Sequence, residues 1–223
     1  MKLYQHVFAG AIACLCFAGV ARAELAVTAS VGSAGLGAHL SIPVQTGLHL
    51  RLGVNAAHYR FEDKSGAIDY EYKLRLRTAE VLADWFPMDG AFHLTGGAAY
   101  NGNQITGQGR PQADGSYVVN GNNYTSGAGT IDGKISFRKA VPYLGIGWGN
   151  PLTQERGWGL ASDLGVLFQG APTSSLASTN CTLATSLCSK LASDLAAERS
   201  KRDEDLKVFK AYPVLRIGVS YKF

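Results

Sequence analysis

Four histidines beyond residue 24, one cysteine pair and a series of alternating charges are the groups in this 223-residue chain able to do chemistry. Acyl transfer through serine needs a histidine base within reach of the hydroxyl and a carboxylate behind it. His58 has Glu62 and Ser65 as sequence neighbours, whereas His39 has no evident partner. His49 and His93 could share a metal across adjacent strands, but isolated histidines of this kind are ordinarily hydrogen-bonded filler, so no metal or other cofactor is expected. Cys181 and Cys188 have six residues between them. The two further Cys or His ligands a zinc site would need are missing at suitable spacing, and a disulfide is the expected pairing.

That pairing requires an oxidising compartment, and the N-terminus supplies the route. Met1-Lys2 gives a short positive start, 7–20 an apolar stretch, and Ala21-Arg22-Ala23 a small-x-small cleavage site. Residues 1–23 are therefore expected to be a removed signal peptide and 24–223 the mature domain. With 46% hydrophobic and 17% charged residues the chain can build a core and is not intrinsically disordered. The only long apolar run is the leader, which excludes a helical multi-span protein. The formal charge of +4 falls to +2 once Lys2 and Arg22 leave, too little to argue for nucleic acid.

What positions the candidate residues is a period of two. From Leu215 to Phe223 every odd position is apolar or aromatic and every even one small, polar or charged, the mark of a strand with one greasy and one wet face. The same alternation runs through Leu48 to Ala56, Phe92 to Tyr100 and Trp158 to Phe168. Aromatics bracket these stretches, as the two interfacial girdles of a membrane barrel require, and each is close to the roughly 9 to 11 residues a tilted strand needs to cross hydrocarbon. Strands are expected at 36–44, 47–61, 67–86, 91–105, 131–148, 157–170 and 213–223. Barrel parity demands an eighth, either 25–32, paired through a tight turn at Ser33-Ala34-Gly35, or within 116–123. A hairpin is expected at Asn120-Gly121. The long connections fall at 106–130 and 171–212, the second holding the cysteines and a helix near 190–207 with Leu187, Leu191 and Leu195 on one face.

The wet parity collects Arg51, Glu71, Lys73, Arg75, Arg77, Glu80, Asp84, Asp132, Lys134, Arg138, Asp163, Arg216 and Lys222. In the fourth strand the odd positions 69–77 are charged, but from Ala79 onward the odd positions are apolar. A β-bulge near Thr78 is the expected device for keeping both charge sets inside, with a similar switch near Lys139 and Pro142.

The C-terminal Leu215-x-Ile217-x-Val219-x-Tyr221-x-Phe223 resembles the assembly signal of small outer-membrane β-barrel proteins of Gram-negative bacteria, of the OmpA-transmembrane, OmpX and OmpW type. The resemblance implies an all-β fold: a closed antiparallel eight-stranded transmembrane β-barrel with one short helix in a long loop. It also implies residence in the outer membrane, contact with its lipid, and insertion by the barrel assembly machinery. It implies no biochemical role. No match to the His-x-Ser motif of lipid A deacylase barrels enters this reading, and no enzyme is expected. Eight strands leave an interior that side chains can fill, so the charges are expected to form an ion-pair plug, giving a structural or surface-interaction protein. The alternative is a narrow conduit for a small anionic or zwitterionic solute, with Arg75 and Arg77 as attractor. Loops 106–130 and 171–212 are candidates for an extracellular ligand, carrying Tyr117, Asn120, Asn122, Asn123 and Tyr124.

Overall fold

A computed structural model describes residues 24–65, 68–88, 90–110, 115–152 and 156–223, with the side chains of 61–65, 68–71 and 110 left out of the description. The expected signal peptide and the side chains of Glu62, Ser65 and Glu71 lie outside the described residues or atoms.

Eight strands close into an antiparallel barrel. They are β1 (Ala26–Gly32), β2 (Gly35–Gln45), β3 (Leu48–Ser65), β4 (Ile68–Trp85), β5 (Phe92–Asn101), β10 (Ala140–Trp148), β11 (Gly157–Leu167) and β13 (Tyr212–Lys222). The eighth strand is the one before the Ser33-Ala34 turn: β1 pairs with β2 on one side and with β13 on the other, and so closes the ring. Leu215, Ile217 and Val219 of β13 and Phe223 just beyond it are exposed, while Val214, Arg216 and Ser220 are buried. Tyr221 is half-buried, its ring 5.0 Å from that of Trp158 and 5.1 Å from that of Phe223. With Trp85, Trp148 and Phe92 these rings encircle the end that holds both termini of the barrel, and Tyr59, Tyr100 and Phe168 are exposed toward the other end.

Above that second ring the barrel opens out. Three short strands, β6 (Gln104–Arg110), β9 (Thr130–Ser136) and β12 (Thr173–Thr179), leave the barrel wall and extend the outer half of β4 into a second sheet, ordered β3-β4-β6-β9-β12. Side-chain amides take over the hydrogen bonding where the strands part. Asn103 Oδ1 accepts the Arg77 N–H at 2.9 Å, Asn101 Oδ1 accepts the Asn103 N–H at 3.0 Å, and Asn101 Nδ2 donates to Gln169 Oε1 at 3.3 Å. A buried strand end needs such partners for its freed backbone groups. The expected continuous strand over 131–148 is therefore two, broken at 137–139.

The expected bulge near Thr78 is absent. β3 and β4 pair without a register shift from Leu48↔Trp85 to Ser65↔Ile68. One face of β4 carries Arg75 and Arg77, then Ala79, Val81, Ala83 and Trp85, all exposed, and the other turns Leu76, Thr78, Glu80, Leu82 and Asp84 inside. The facing does not change from Arg75 to Trp85. What changes is the character of the outer face, charged at Arg75 and Arg77 and apolar from Ala79 to Trp85.

The inner face of the second sheet is apolar and is covered by helix α1 (Thr185–Leu206) and the hairpin β7 (Tyr117–Val119) and β8 (Asn122–Tyr124). Tyr117, Val119, Tyr124, Ile131, Leu191 and Leu195 form that core, with Leu176 packed against it. The hairpin turns at Asn120 (φ 48) and Gly121 (φ 79), the left-handed pair that a two-residue turn demands. The helix starts five residues before the expected Lys190, and Leu187 is exposed rather than on the buried face. Cys181 and Cys188 form the expected disulfide, tying the chain before α1 to its first turn.

Candidate functional site: the barrel lumen

Strand parity brings part of the expected charge set together. Arg51, Glu80, Asp84, Asp163, Arg216 and Lys222 are all buried in the lumen. Arg51 donates to both oxygens of Asp163, Nη1 to Oδ2 and Nη2 to Oδ1, each at 2.8 Å. Its Nε lies 2.9 Å from Asp84 Oδ2, and Nη2 donates to Asp84 Oδ1 at 3.0 Å. Thr95 Oγ1 donates to the same Asp84 oxygen at 2.7 Å, and His93 Nε2 is 3.4 Å from Asp163 Oδ1. A second cluster sits beside the first. Arg216 Nη2 donates to Glu80 Oε1 and Oε2 at 2.6 and 2.8 Å, and Asn55 Nδ2 bonds Glu80 Oε1 at 2.9 Å and Thr78 Oγ1 at 3.0 Å. At the barrel's lower rim Lys222 Nζ reaches the exposed Glu24 at 3.0 Å and the Leu152 carbonyl at 2.7 Å.

Arg51, Arg216 and Lys222 stand against Asp84, Asp163 and Glu80 in the lumen and Glu24 at the rim. Beside them on the inner wall lies an apolar layer of Leu82, Ala99, Val141, Tyr143, Leu167 and Val214, with Tyr212 packed against it. The Arg216 guanidinium lies 5.5 Å over the Tyr143 ring, a cation–π contact joining the two layers. Below, Phe86 is inserted between His49 and His93, ring centroids at 4.7 and 5.0 Å. The two histidines are thus separated by an aromatic ring, and among the described residues no cluster suits a metal.

The remaining expected lumen charges are elsewhere. Arg75, Arg77, Asp132, Lys134 and Arg138 are exposed, and Lys73 is half-buried, in the region above the barrel. They follow the outer parity of β4 and its partners in the second sheet, so an inward attractor made of Arg75 and Arg77 is excluded. The continuous register of β4 is the physical reason.

Asn55, Thr78, Thr95, His39 and Tyr143 belong to the lumen yet carry no charge signal in the sequence. Their only mark is membership of the inward parity. One His-x-Ser pair does exist, His39-Leu40-Ser41, and parity turns both side chains into the lumen at 3% and 1% exposure. His39 Nδ1 is 3.5 Å from Ser30 Oγ, and Nε2 is 3.9 Å from Glu80 Oε2. Glu80 is already held by Arg216, and both contacts are too long to align a proton relay.

Outside the barrel, Asp194 of α1 accepts hydrogen bonds from three alternating hairpin residues: Tyr124 Oη, Asn122 Nδ2 at 2.8 Å and Asn120 Nδ2 at 3.3 Å. The Tyr124 bond, with those of Asn120 and Asn122, holds the Asp194 carboxyl below the usual carboxylate range. Burial and the same bond push the Tyr124 phenol up to about 12. Tyr117 and Tyr124 are 4% exposed beneath the helix, so of the recognition candidates in this loop Asn123 is the one that faces solvent.

No family model matches the chain, and no curated protein matches it. Solved structures do. CarO2 and CarO of Acinetobacter baumannii are each 24% identical with a TM-score of 0.56, covering 90% and 91% of this chain and 99% and 98% of their own. A major outer membrane protein from Thermus thermophilus is 18% identical over 91% of this chain and 100% of its own, with a TM-score of 0.47. With the closed ring of eight strands, the exposed apolar band and its aromatic girdles, the likeness to the Acinetobacter proteins gives the chain the fold of a small Gram-negative outer-membrane β-barrel protein.

Proposed function

We propose that the protein is an integral outer-membrane barrel with a sealed lumen, non-enzymatic, whose role is structural or lies in surface interaction through the sheet-and-helix unit above the membrane. The observation that carries the reading is the mutually hydrogen-bonded set Arg51–Asp84–Asp163 and Arg216–Glu80, two guanidiniums against three carboxylates, lying against the apolar layer around Tyr143. A passage for charged solutes needs unpaired charge in contact with continuous water. Here each buried guanidinium is matched to carboxylates at 2.6–3.0 Å. The lumen histidines and serines support no hydrolytic role in this reading, because the contacts of His39 to Ser30 and Glu80, at 3.5 and 3.9 Å, are too long to align a proton relay. Orientation follows from the loops: the β2–β3, β4–β5 and β10–β11 connections share one end with both ends of the barrel chain and are read as periplasmic, and the second sheet at the other end faces outward. An extracellular ligand would meet Asn123 and the exposed side of α1. The β13 positions Leu215, Ile217, Val219, Tyr221 and Phe223 are the segment the assembly machinery would read.

Single-channel recording in planar bilayers tests the seal. The refolded protein is expected to be silent under an applied potential. Steady conductance from folded, heat-modifiable barrels would overturn the reading in favour of a conduit. Arg75→Ala is expected to change nothing in either case, because its side chain is outside the lumen.

A further inference from the structure

The outer wall where β4, β5 and β10 leave the apolar band carries two features that neither the seal nor the fold requires. The first is a cationic rim. Arg75, Arg77 and Lys139 are exposed and take part in no ion pair among the described residues. Arg77 and Lys139 flank the same dipeptide: the Asn101 N–H donates to the Lys139 carbonyl at 2.6 Å, and the Gly102 N–H to the Arg77 carbonyl at 2.7 Å. The two backbones are therefore about 10 Å apart, two strand spacings, with Arg75 about 7 Å further up β4. Lys139 Nζ leans over the Tyr100 ring, 5.7 Å from its centroid, at the upper aromatic girdle. Lys134 continues the cationic face on the second sheet, where Asp132 is the carboxylate interposed.

The second feature is an apolar furrow of about 630 Å³ directly below that rim. It runs across the wall from Val27 and Leu40 through Val54 and Ala79 to Ala98 and Ala140. Ala79 pairs with Tyr100, and Tyr100 with Ala140, so the furrow's upper end is one or two residues from Arg77 and Lys139. The volume lies within the about 300–1,000 Å³ of small-molecule sites.

We propose that this face binds one anionic, acylated lipid of the outer leaflet, its headgroup phosphate held by Arg75, Arg77 and Lys139 and one acyl chain lying in the furrow. Charge complementarity selects the headgroup: three exposed cations at the water boundary match a phosphate ester. The furrow selects the tail, because bulkier side chains at Ala79, Ala98 and Ala140 would fill the groove. The site rests on the membrane placement proposed above and deepens it by naming the lipid class.

The test uses the full mature barrel in phosphatidylcholine nanodiscs, probed with bisphosphorylated lipid A and the same lipid A after phosphatase treatment. Lipid retained per barrel is read by native mass spectrometry. Wild type is expected to retain the phosphorylated lipid at least tenfold better than the dephosphorylated one. Each of Arg75→Gln, Arg77→Gln and Lys139→Gln should lower retention roughly fivefold. Ala79→Leu with Ala98→Leu should lower it at least as much while leaving the heat-shifted gel band intact. Equal retention of the dephosphorylated lipid, indifference to the charge variants or the furrow variant, or displacement by millimolar inorganic phosphate would each overturn the proposal. Labelling of Arg75→Cys on whole cells by an impermeant maleimide separates the two levels. Labelled cells with failed retention refute the lipid site alone, whereas unlabelled cells with the cysteine reactive after lysis refute the orientation beneath it.

Discussion

Replacing Arg51 by methionine isolates the energetics on which the sealed lumen depends. Arg51, Asp84 and Asp163 are 7%, 5% and 6% exposed, and the guanidinium meets both carboxylates at 2.8–3.0 Å. Arg51→Met fills most of the volume but leaves two buried carboxylates whose other donors are Thr95 and His93. Removing one partner of a buried pair costs about 3–5 kcal/mol, mostly the penalty of the uncompensated charge left behind. Neutralising the carboxylates as well, in Arg51→Met/Asp84→Asn/Asp163→Asn, should return the barrel to within about 2 kcal/mol of wild type, since a buried ion set and neutral isosteres are near-equal in stability. Urea unfolding in phospholipid vesicles, followed by tryptophan emission from the exposed Trp85, Trp148 and Trp158, measures both. A loss below about 1 kcal/mol in the single variant would refute the reasoning, because the carboxylates would then be solvated by lumen water and the seal would fail with them. A triple variant as unstable as the single one would show that the network contributes directional hydrogen bonding rather than charge balance.

Three further outcomes concern the outer unit and the inner wall. The Asp194 carboxyl is held below its ordinary range by Tyr124, Asn120 and Asn122, so the hairpin's docking is fully present above about pH 4, the unfolded-state value, and is lost as pH falls further through the lowered folded value; amide exchange at Val118 and Asn122 should speed up only below that point, and in Asp194→Asn the acid-induced change should vanish. The Cys181–Cys188 bridge closes a short loop and is expected to contribute about 2–3 kcal/mol to the helix-bearing unit, so reduction should raise proteolysis near 181–190 while the gel heat shift of the barrel stays unchanged. A side chain at Gly165 would meet the Tyr143 ring at 2.2–2.4 Å, so Gly165→Val should displace Tyr143 and destabilise the barrel by about 1–3 kcal/mol, whereas Leu164→Val on the exposed face should cost little.

The sequence makes the barrel legible because hydrocarbon imposes a strict rule on exposed positions: Leu215, Ile217 and Val219 must be apolar and Arg216 must not be, and that rule survives without knowing any partner. The same rule misleads on β4. Hydropathy reports the solvent a residue meets, not the direction it points, so Arg75 and Arg77 above the apolar band read like the inward Glu80 and Asp84 below it. A bulge near Thr78 reconciles the two only if the neighbouring wall is continuous, and at Asn101–Asn103 β4 exchanges β5 for β6 as its partner. The inner wall hides information in the opposite way. Leu82, Val141, Tyr143 and Val214 are apolar like lipid-facing residues and differ from them only in parity, so the layer beside the ion pairs carries no compositional mark. Pairing inside the lumen is the least legible of all. Arg51 meets Asp163 across 112 residues and Arg216 meets Glu80 across 136, and which inward residues share a level is set by the stagger of a closed ring rather than by any single strand. That stagger makes the stability of Arg51→Met a global measurement. If its cost is recovered only when Asp84 and Asp163 are neutralised together, the register around the closed ring is right at β3, β4 and β11 at once, something no alternation along one strand can establish.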